Sequence, residues 1–226
     1  MGVEPLRAGA QRNLGRGPQR AIGAPSGDAA GPTEIRERSL SHPQILLQSL
    51  KKLHRLAHRD DLTLWSLDEC HFQQHGSRCI MWVPPEDKDP VLPHAPTRKS
   101  LALFGAVNLR SGQLVTMFAT PFNAESFAAF LRQVARHRDR CRRNLLILDN
   151  AAYHRQLTVP ESLTLDHLPP YSPQLNPIER VWKLLRRLRV HNVYFETLER
   201  LVDQVTAQLV EWAGPNSVLR RLCCIT

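Results

Sequence analysis

Leu145–Leu148 is an unbroken aliphatic run, LLIL, that stops at Asp149. Four residues are too few for an independent helix, and a run without polar alternation needs apolar cover on both faces. A central strand in a sheet with helices on either side meets both needs, which argues against a helical bundle and against a sheet with one wet face. A second run, Leu62–Leu67 (LTLWSL), ends the same way on Asp68. Its Trp65 and β-branched Thr63 suit a buried strand. Two interior strands therefore each deliver an aspartate to the end of the sheet.

The rest of the chain supplies what such a sheet needs. Strand Leu62–Asp68 is expected to turn through a hairpin to Cys79–Val83, followed by a proline-rich loop over Pro84–Pro96 and strands near Leu101–Val107 and Leu114–Ala119. A helix over Ala124–Arg138 carries Phe127, Phe130, Leu131 and Val134 on one face, and Leu198–Trp212 repeats the pattern with Leu198, Leu201, Val202, Val205 and Leu209. Between them lie the Leu145–Asp149 strand and a short strand near Leu163–Leu168. Three adjacent strands, then helices alternating with parallel strands, give an α/β fold with a mixed sheet flanked by helices.

Ahead of that core, residues 1–44 hold seven of the chain's 11 glycines, repeated prolines and little apolar periodicity. They are expected to be a disordered basic segment. Residues 45–60 follow as a basic linker helix with Leu46, Leu50, Leu53 and Ala57 at helical spacing, 61–213 as the catalytic domain and 214–226 as a C-terminal tail.

A third acidic residue completes a chemical pattern. Asn176 suits a helix N-cap and Pro177 the first helical position, while Ile178, Val181, Trp182, Leu185 and Leu188 form an apolar stripe. Glu179 then stands in the first turn, on a neighbouring face with Lys183, Arg186 and Arg187. Cleavage of a phosphodiester places negative charge on the attacking and leaving oxygens, which two divalent ions neutralise better than side chains do. Magnesium enters such sites through hard carboxylate oxygens and the substrate's phosphates. Each acid has an ordinary structural role as well: Asp68 at a strand-end turn, Asp149 in an Asx turn with Asn150, Glu179 in a capping box with Asn176. Their joint order, two strand-end aspartates and a helix-start glutamate, favours chemistry.

Asp68-Glu69, DNAAYH at 149–154 and PPYSPQLNPIERVW at 169–182 closely resemble the DDE transposases of the insertion sequence 630 family, relatives of the mariner-like elements. The resemblance runs from about Leu62 to about Leu209. It implies an RNase H-like core in which Asp68, Asp149 and Glu179 form the catalytic triad and hold Mg2+ or Mn2+, two ions in all. Asn150, His154 and Asn176 match flanking motif positions, and Trp82 in CIMWVPP matches a family tryptophan. The stretch from 149 to 179 is a few positions shorter than the family pattern, which suggests a trimmed loop around Thr158–Thr164. A helix-turn-helix DNA-binding region normally precedes the core, and only 67 residues precede Asp68 here.

The activity so implied is metal-dependent cleavage of double-stranded DNA at element ends and strand transfer to a TA-containing target by a homodimer. A separately encoded helix-turn-helix subunit or a frameshift product would complete it. Two alternatives stay open: a truncated remnant that binds DNA or a partner subunit without transposing, and a stand-alone RNase H-type nuclease. A formal net charge of +9 and a pI near 9.9 favour an acidic polymer as partner. Basic runs at 132–143 and 183–189 flank the site in sequence, and Lys183, Arg186, Arg187 and Trp82 are the expected DNA contacts.

Cys70, His71, His75 and Cys79 are clustered, but their spacing matches no standard zinc module and a strand would alternate them between faces. No segment approaches 18 consecutive apolar residues and no apolar signal core follows the first residues, so neither a membrane span nor a secretory signal is expected. The expected location is the cytoplasm, at the nucleoid.

Overall fold

The computed structural model describes residues 41–80, 83–86, 91, 93, 95–151 and 158–225. Its strands are β1 (Leu62–Gln73), β2 (Ser100–Asn108), β3 (Leu114–Phe118), β4 (Arg143–Leu148) and β5 (Leu163–His167). They form one sheet in the order β3-β2-β1-β4-β5. The pairs β1/β2 and β2/β3 are antiparallel, and β1/β4 and β4/β5 parallel. Helices α1 (His42–Ala57), α2 (Ala124–Arg136), α3 (Ile178–Arg189), α4 (Leu198–Trp212) and α5 (Ser217–Leu222), with one 3-10 turn at Pro173–Leu175, complete the described elements.

The aliphatic run behaves as its composition demands. Successive residues of β4 point to opposite faces, so Leu146 and Leu148 join Phe127, Phe130 and Trp65 beneath α2, while Ile147 packs with Leu53 of α1 and Leu64 on the other side. The α3/α4 side has its own core, built from Cys70, Phe72, Leu103 and Val107 of the sheet against Ile178, Trp182, Leu185, Leu201 and Val205. Alternation along β1 and β2 thus divides the apolar residues cleanly between two layers. The result is the expected mixed sheet covered on both faces.

Where the sequence reading and the fold differ, the reason is local. The hairpin strand expected at Cys79–Val83 is absent among its described residues: Cys79, Ile80 and Val83 lie outside any strand, and Ile80 is fully exposed. β1 runs on to Gln73 with every residue from Trp65 paired to β2, so that edge is already taken. Gly76, with φ +71°, turns the chain toward the end of α3 instead. There Asn192 substitutes for a strand partner, its side chain accepting from Cys79 N–H and donating to Cys79 O. Two members of the Cys70, His71, His75 and Cys79 sequence cluster meet other partners. Cys70 Sγ meets Arg186, and the His71 ring packs edge-on against Phe122.

Residues 1–40 of the segment expected to be disordered lie outside the described residues, and 42–44 form the first turn of α1. The tail segment carries α5, with Leu219, Cys223 and Ile225 buried. It docks where Gly112, at φ +74°, leaves room, since a Cβ there would lie 1.9 Å from Asn216 O. No helix among the described residues is long and apolar enough to cross a membrane.

Candidate active site

Parity and register bring the two aspartates together. β1 and β4 run parallel with Ser66 opposite Ile147, so Asp68 and Asp149, two residues further on, emerge side by side from adjacent strands. Adjacent strands stand about 4.8 Å apart. Asp68 shares the face of Cys70 and Phe72, and Asp149 that of Ile147, which is the face α3 covers at β1. Asp149 is exposed and its carboxylate accepts from Ala151 N–H at 3.0 Å, so the Asx turn and the strand-end placement coexist. Asn150 donates to Leu168 O at 2.6 Å, and Asp149 O lies 2.9 Å from His167 Nδ1. These bonds tie the β4 end to the β5 end.

The helix bearing Glu179 is pinned to β1 by a buried polar relay. Asn176 does not cap α3 with its side chain. Its Oδ1 accepts a short hydrogen bond from Ser66 Oγ, and its Nδ2 donates to Leu67 O at 3.0 Å. The cap is supplied by the strand: Ser66 Oγ accepts from Ile178 N–H at 3.0 Å. Ser66 and Asn176 are both buried, and a buried hydroxyl or amide left unpaired would be costly, so the relay fixes the start of α3 in one position.

A steric device works beside it. Gly105 of β2 is the register partner of Asp68. A Cβ at Gly105 would lie 2.3 Å and 2.5 Å from two carbons of the fully buried Trp182 ring and 3.2 Å from Ile178 Cδ1. The indole of α3 therefore lies on bare backbone next to the first aspartate. Glycine in a strand interior commonly marks such a close approach.

Asp68, Asp149, Asn150, Asn176 and Glu179 line one cleft of about 460 Å³, together with the segment 168–173. Burial pushes the Asp68 carboxyl up to about 8, and the negative charges of Glu179, Glu69 and Asp149 add to the shift. A carboxyl whose proton affinity is raised by neighbouring carboxylates stands in a site short of positive charge. The donors are hard oxygens from three elements, a chemistry that fits a divalent cation of the magnesium type. Among the described residues no three His, Cys, Asp or Glu side chains are gathered closely enough to hold one ion. Pairs of these carboxylates completed by substrate oxygens would suit the arrangement better.

The other expected contacts separate. Lys183 and Arg187 are exposed on α3. Arg186 is partly buried against β1, donating to Cys70 Sγ at 3.0 Å and His71 O at 3.4 Å, with its guanidinium 5.2 Å above the Phe72 ring. The basic run 132–143 leads into the start of β4, the opposite end of that strand from Asp149. Trp82 and His154 lie outside the described residues. Sequence reasoning overlooked Ser66, Gly105 and Tyr171. The first two carried signals: a hydroxyl inside a strand that must be buried, and a glycine inside another.

Residues 63–202 match the family model described as DDE superfamily endonuclease. The uncharacterized protein y4pE/y4sA of Sinorhizobium fredii (strain NBRC 101917 / NGR234) is 35% identical over 107 residues, which are 46% of this chain and 79% of that protein. Among solved structures, the Mos1 mariner paired end complex with Mn superposes with a TM-score of 0.57 at 17% identity, covering 82% of this chain. The Mos1 transposase paired-end complex with left transposon end gives 0.55 at 18%, covering 83%. This chain spans 60% of the length of either Mos1 chain. At these identities the likeness is one of fold, and the fold is RNase H-like.

Proposed function

The chain belongs to the DDE superfamily endonucleases, and from that membership we propose that its transposase-type catalytic domain cuts DNA at the ends of a mobile element and joins them to a target. The observation that carries this is the convergence of Asp68, Asp149 and Glu179, from two strands and a helix, on one cleft. In this reading the three carboxylates hold magnesium or manganese, two ions in all. When bound there, such cations neutralise charge on the attacking and leaving oxygens of the phosphodiester. Asp68 and Asp149 give a pair of ligands from adjacent strands, Glu179 closes the second side, and the Asn150 and Asn176 amides bind neighbouring backbone at the β5 end and at β1. The family match favours this over a stand-alone ribonuclease or an inactive remnant. By resemblance the enzyme belongs to the insertion sequence 630 branch, inserts at a TA-containing site, acts as a homodimer at the nucleoid and obtains end recognition from a helix-turn-helix segment or subunit.

The experiment is metal-dependent nicking of a supercoiled plasmid by the purified chain, beside an RNA–DNA hybrid of matched length. Nicking with magnesium or manganese and none with EDTA is the expected result. Cleavage confined to the hybrid would replace the transposase reading with the ribonuclease one.

The exposed cations on the Glu179 helix are expected to follow the phosphate backbone. Lys183→Ala combined with Arg187→Ala should weaken DNA binding and flatten its dependence on salt by about one counterion per residue removed. Arg186→Ala should act differently, lowering the melting temperature with little change in that slope, because its guanidinium is spent on Cys70, His71 and Phe72. An unchanged slope in the double variant would put the phosphate track elsewhere.

A further inference from the structure

Tyr171 has the left-handed backbone conformation, with φ 55°. A non-glycine residue there costs about 1–2 kcal/mol, and asparagine or glycine is the usual occupant. The other described non-glycine residue with positive φ, Asn192, is such an ordinary choice, and its side chain is fully used in binding Cys79. Tyr171 has no such side-chain hydrogen bond among the described residues. Its residue is 94% exposed, so the aromatic ring contributes almost nothing to packing.

The frame around it is rigid. Pro170 and Pro173 flank the turn, Ser172 is buried, and its hydroxyl donates to Pro170 O at 3.1 Å. The ring is thus held out by a stiff turn on the wall of the cleft that contains Asp68, Asp149 and Glu179. A tyrosine with two side-chain torsions, presented on a fixed backbone, offers a flat surface at low entropic cost.

Building on the function proposed above, we propose that Tyr171 is a stacking platform for an unpaired nucleobase next to the phosphodiester held by the carboxylates. The groups adjoining a phosphodiester are sugars and bases, and the base presents the π-face that an aromatic ring prefers. An unpaired base is required because one inside a duplex has both faces covered. The strain at Tyr171 is then the cost of aiming the ring, at a position where backbone preference alone would select asparagine or glycine.

The test uses the full chain in EDTA with a duplex ending in a short single-stranded tail that carries 2-aminopurine, and a blunt duplex as reference. The parent and Tyr171→Phe should quench the fluorophore on binding. Tyr171→Gly and Tyr171→Asn should not quench, should bind the tailed duplex about five- to a hundredfold more weakly, the range for one base–aromatic stack, and should bind the blunt duplex unchanged. Both should melt at or above the parent temperature, since they suit the backbone. Equal quenching and equal affinity in Tyr171→Gly would overturn the proposal. So would a loss of self-association in the DNA-free chain without a DNA effect, which would assign the ring to a contact between copies. Manganese-dependent plasmid nicking by the parent separates the two failures. If nicking persists while stacking is absent, the proposal about Tyr171 alone falls; if the parent neither binds nor nicks DNA, the function proposed above falls with it.

Discussion

Asp149→Asn should abolish metal-dependent nicking, by a factor on the order of 10³ or more, while leaving melting temperature and metal-free DNA affinity close to those of the parent. The substitution keeps shape and removes one anionic ligand. Losing a divalent cation's charge stabilisation costs several kcal/mol in the transition state, and each 1.36 kcal/mol is tenfold in rate. Asp149 is exposed, so the folded state gives up little. Retained nicking would remove Asp149 from the chemistry.

Asp68→Asn should be equally inactive yet differ in stability, and the sign follows from its environment. Burial and the neighbouring carboxylates raise the folded-state Asp68 to about 8 from an ordinary value of 3.8. Below about pH 4 the group is protonated in both states and its contribution to stability is intact; that contribution is lost as pH rises through about 8. In EDTA at pH 8 the asparagine variant should therefore melt above the parent, with the gap closing toward pH 4. With magnesium added, the parent should regain stability and the variant should not. A variant that melts below the parent at pH 8 in EDTA would show that the Asp68 charge is already compensated within the fold.

Gly105→Ala carries the second large effect, and it reaches the chemistry without touching it. The new methyl would overlap the Trp182 ring, at 2.3 Å and 2.5 Å, so α3 must lift from the sheet. Overpacking of this kind costs about 1–3 kcal/mol, or a fall of roughly 2–12 °C in a domain of this size. Displacing Glu179 by even about 1 Å should lower nicking about a hundredfold. Trp182→Phe in the same chain should restore part of both losses, because the smaller ring vacates the space the methyl needs. Additive effects in that double-mutant cycle would mean that the two residues do not press on each other.

Asp149 was legible as a strand end because its signal is local; Asp68, read the same way, lies instead inside β1, which runs on to Gln73 against β2 after its pairing with β4 stops at Ser66. An aliphatic run has one stable environment, and the residue that ends it must sit at the margin of the core. Helices α2 and α4 were legible from apolar spacing alone, with edges that moved by at most two residues, and the start of α3 from its cap and proline signals together with its apolar stripe. The strand expected at Cys79–Val83 failed because composition cannot tell which sheet edge is free, and β2 had already occupied it. Asn176 was read as a helix cap because that is its usual local role. Only the approach of β1, more than a hundred positions earlier in the sequence, turns its side chain away and gives the capping task to Ser66. Gly105 and Arg186 share this property: their partners are remote in sequence, so propensity and periodicity say nothing about them.

The Ser66–Asn176 relay also makes the site asymmetric. Asp68 and Glu179 are bolted together through a strand serine, a helix-start amide and an indole pressed against glycine, like the fixed jaw of a vice. Asp149 stands across from them on the tip of a neighbouring strand, tied to the turn that follows it. If the distance between ligands changes as scissile oxygens arrive and depart, the travel is expected on the Asp149 side, which is held to β5 and its own turn by exposed or half-buried hydrogen bonds rather than by a buried relay. Spin labels or fluorine probes on β4 and α3, followed through metal and DNA addition, should then report movement at the first and stillness at the second.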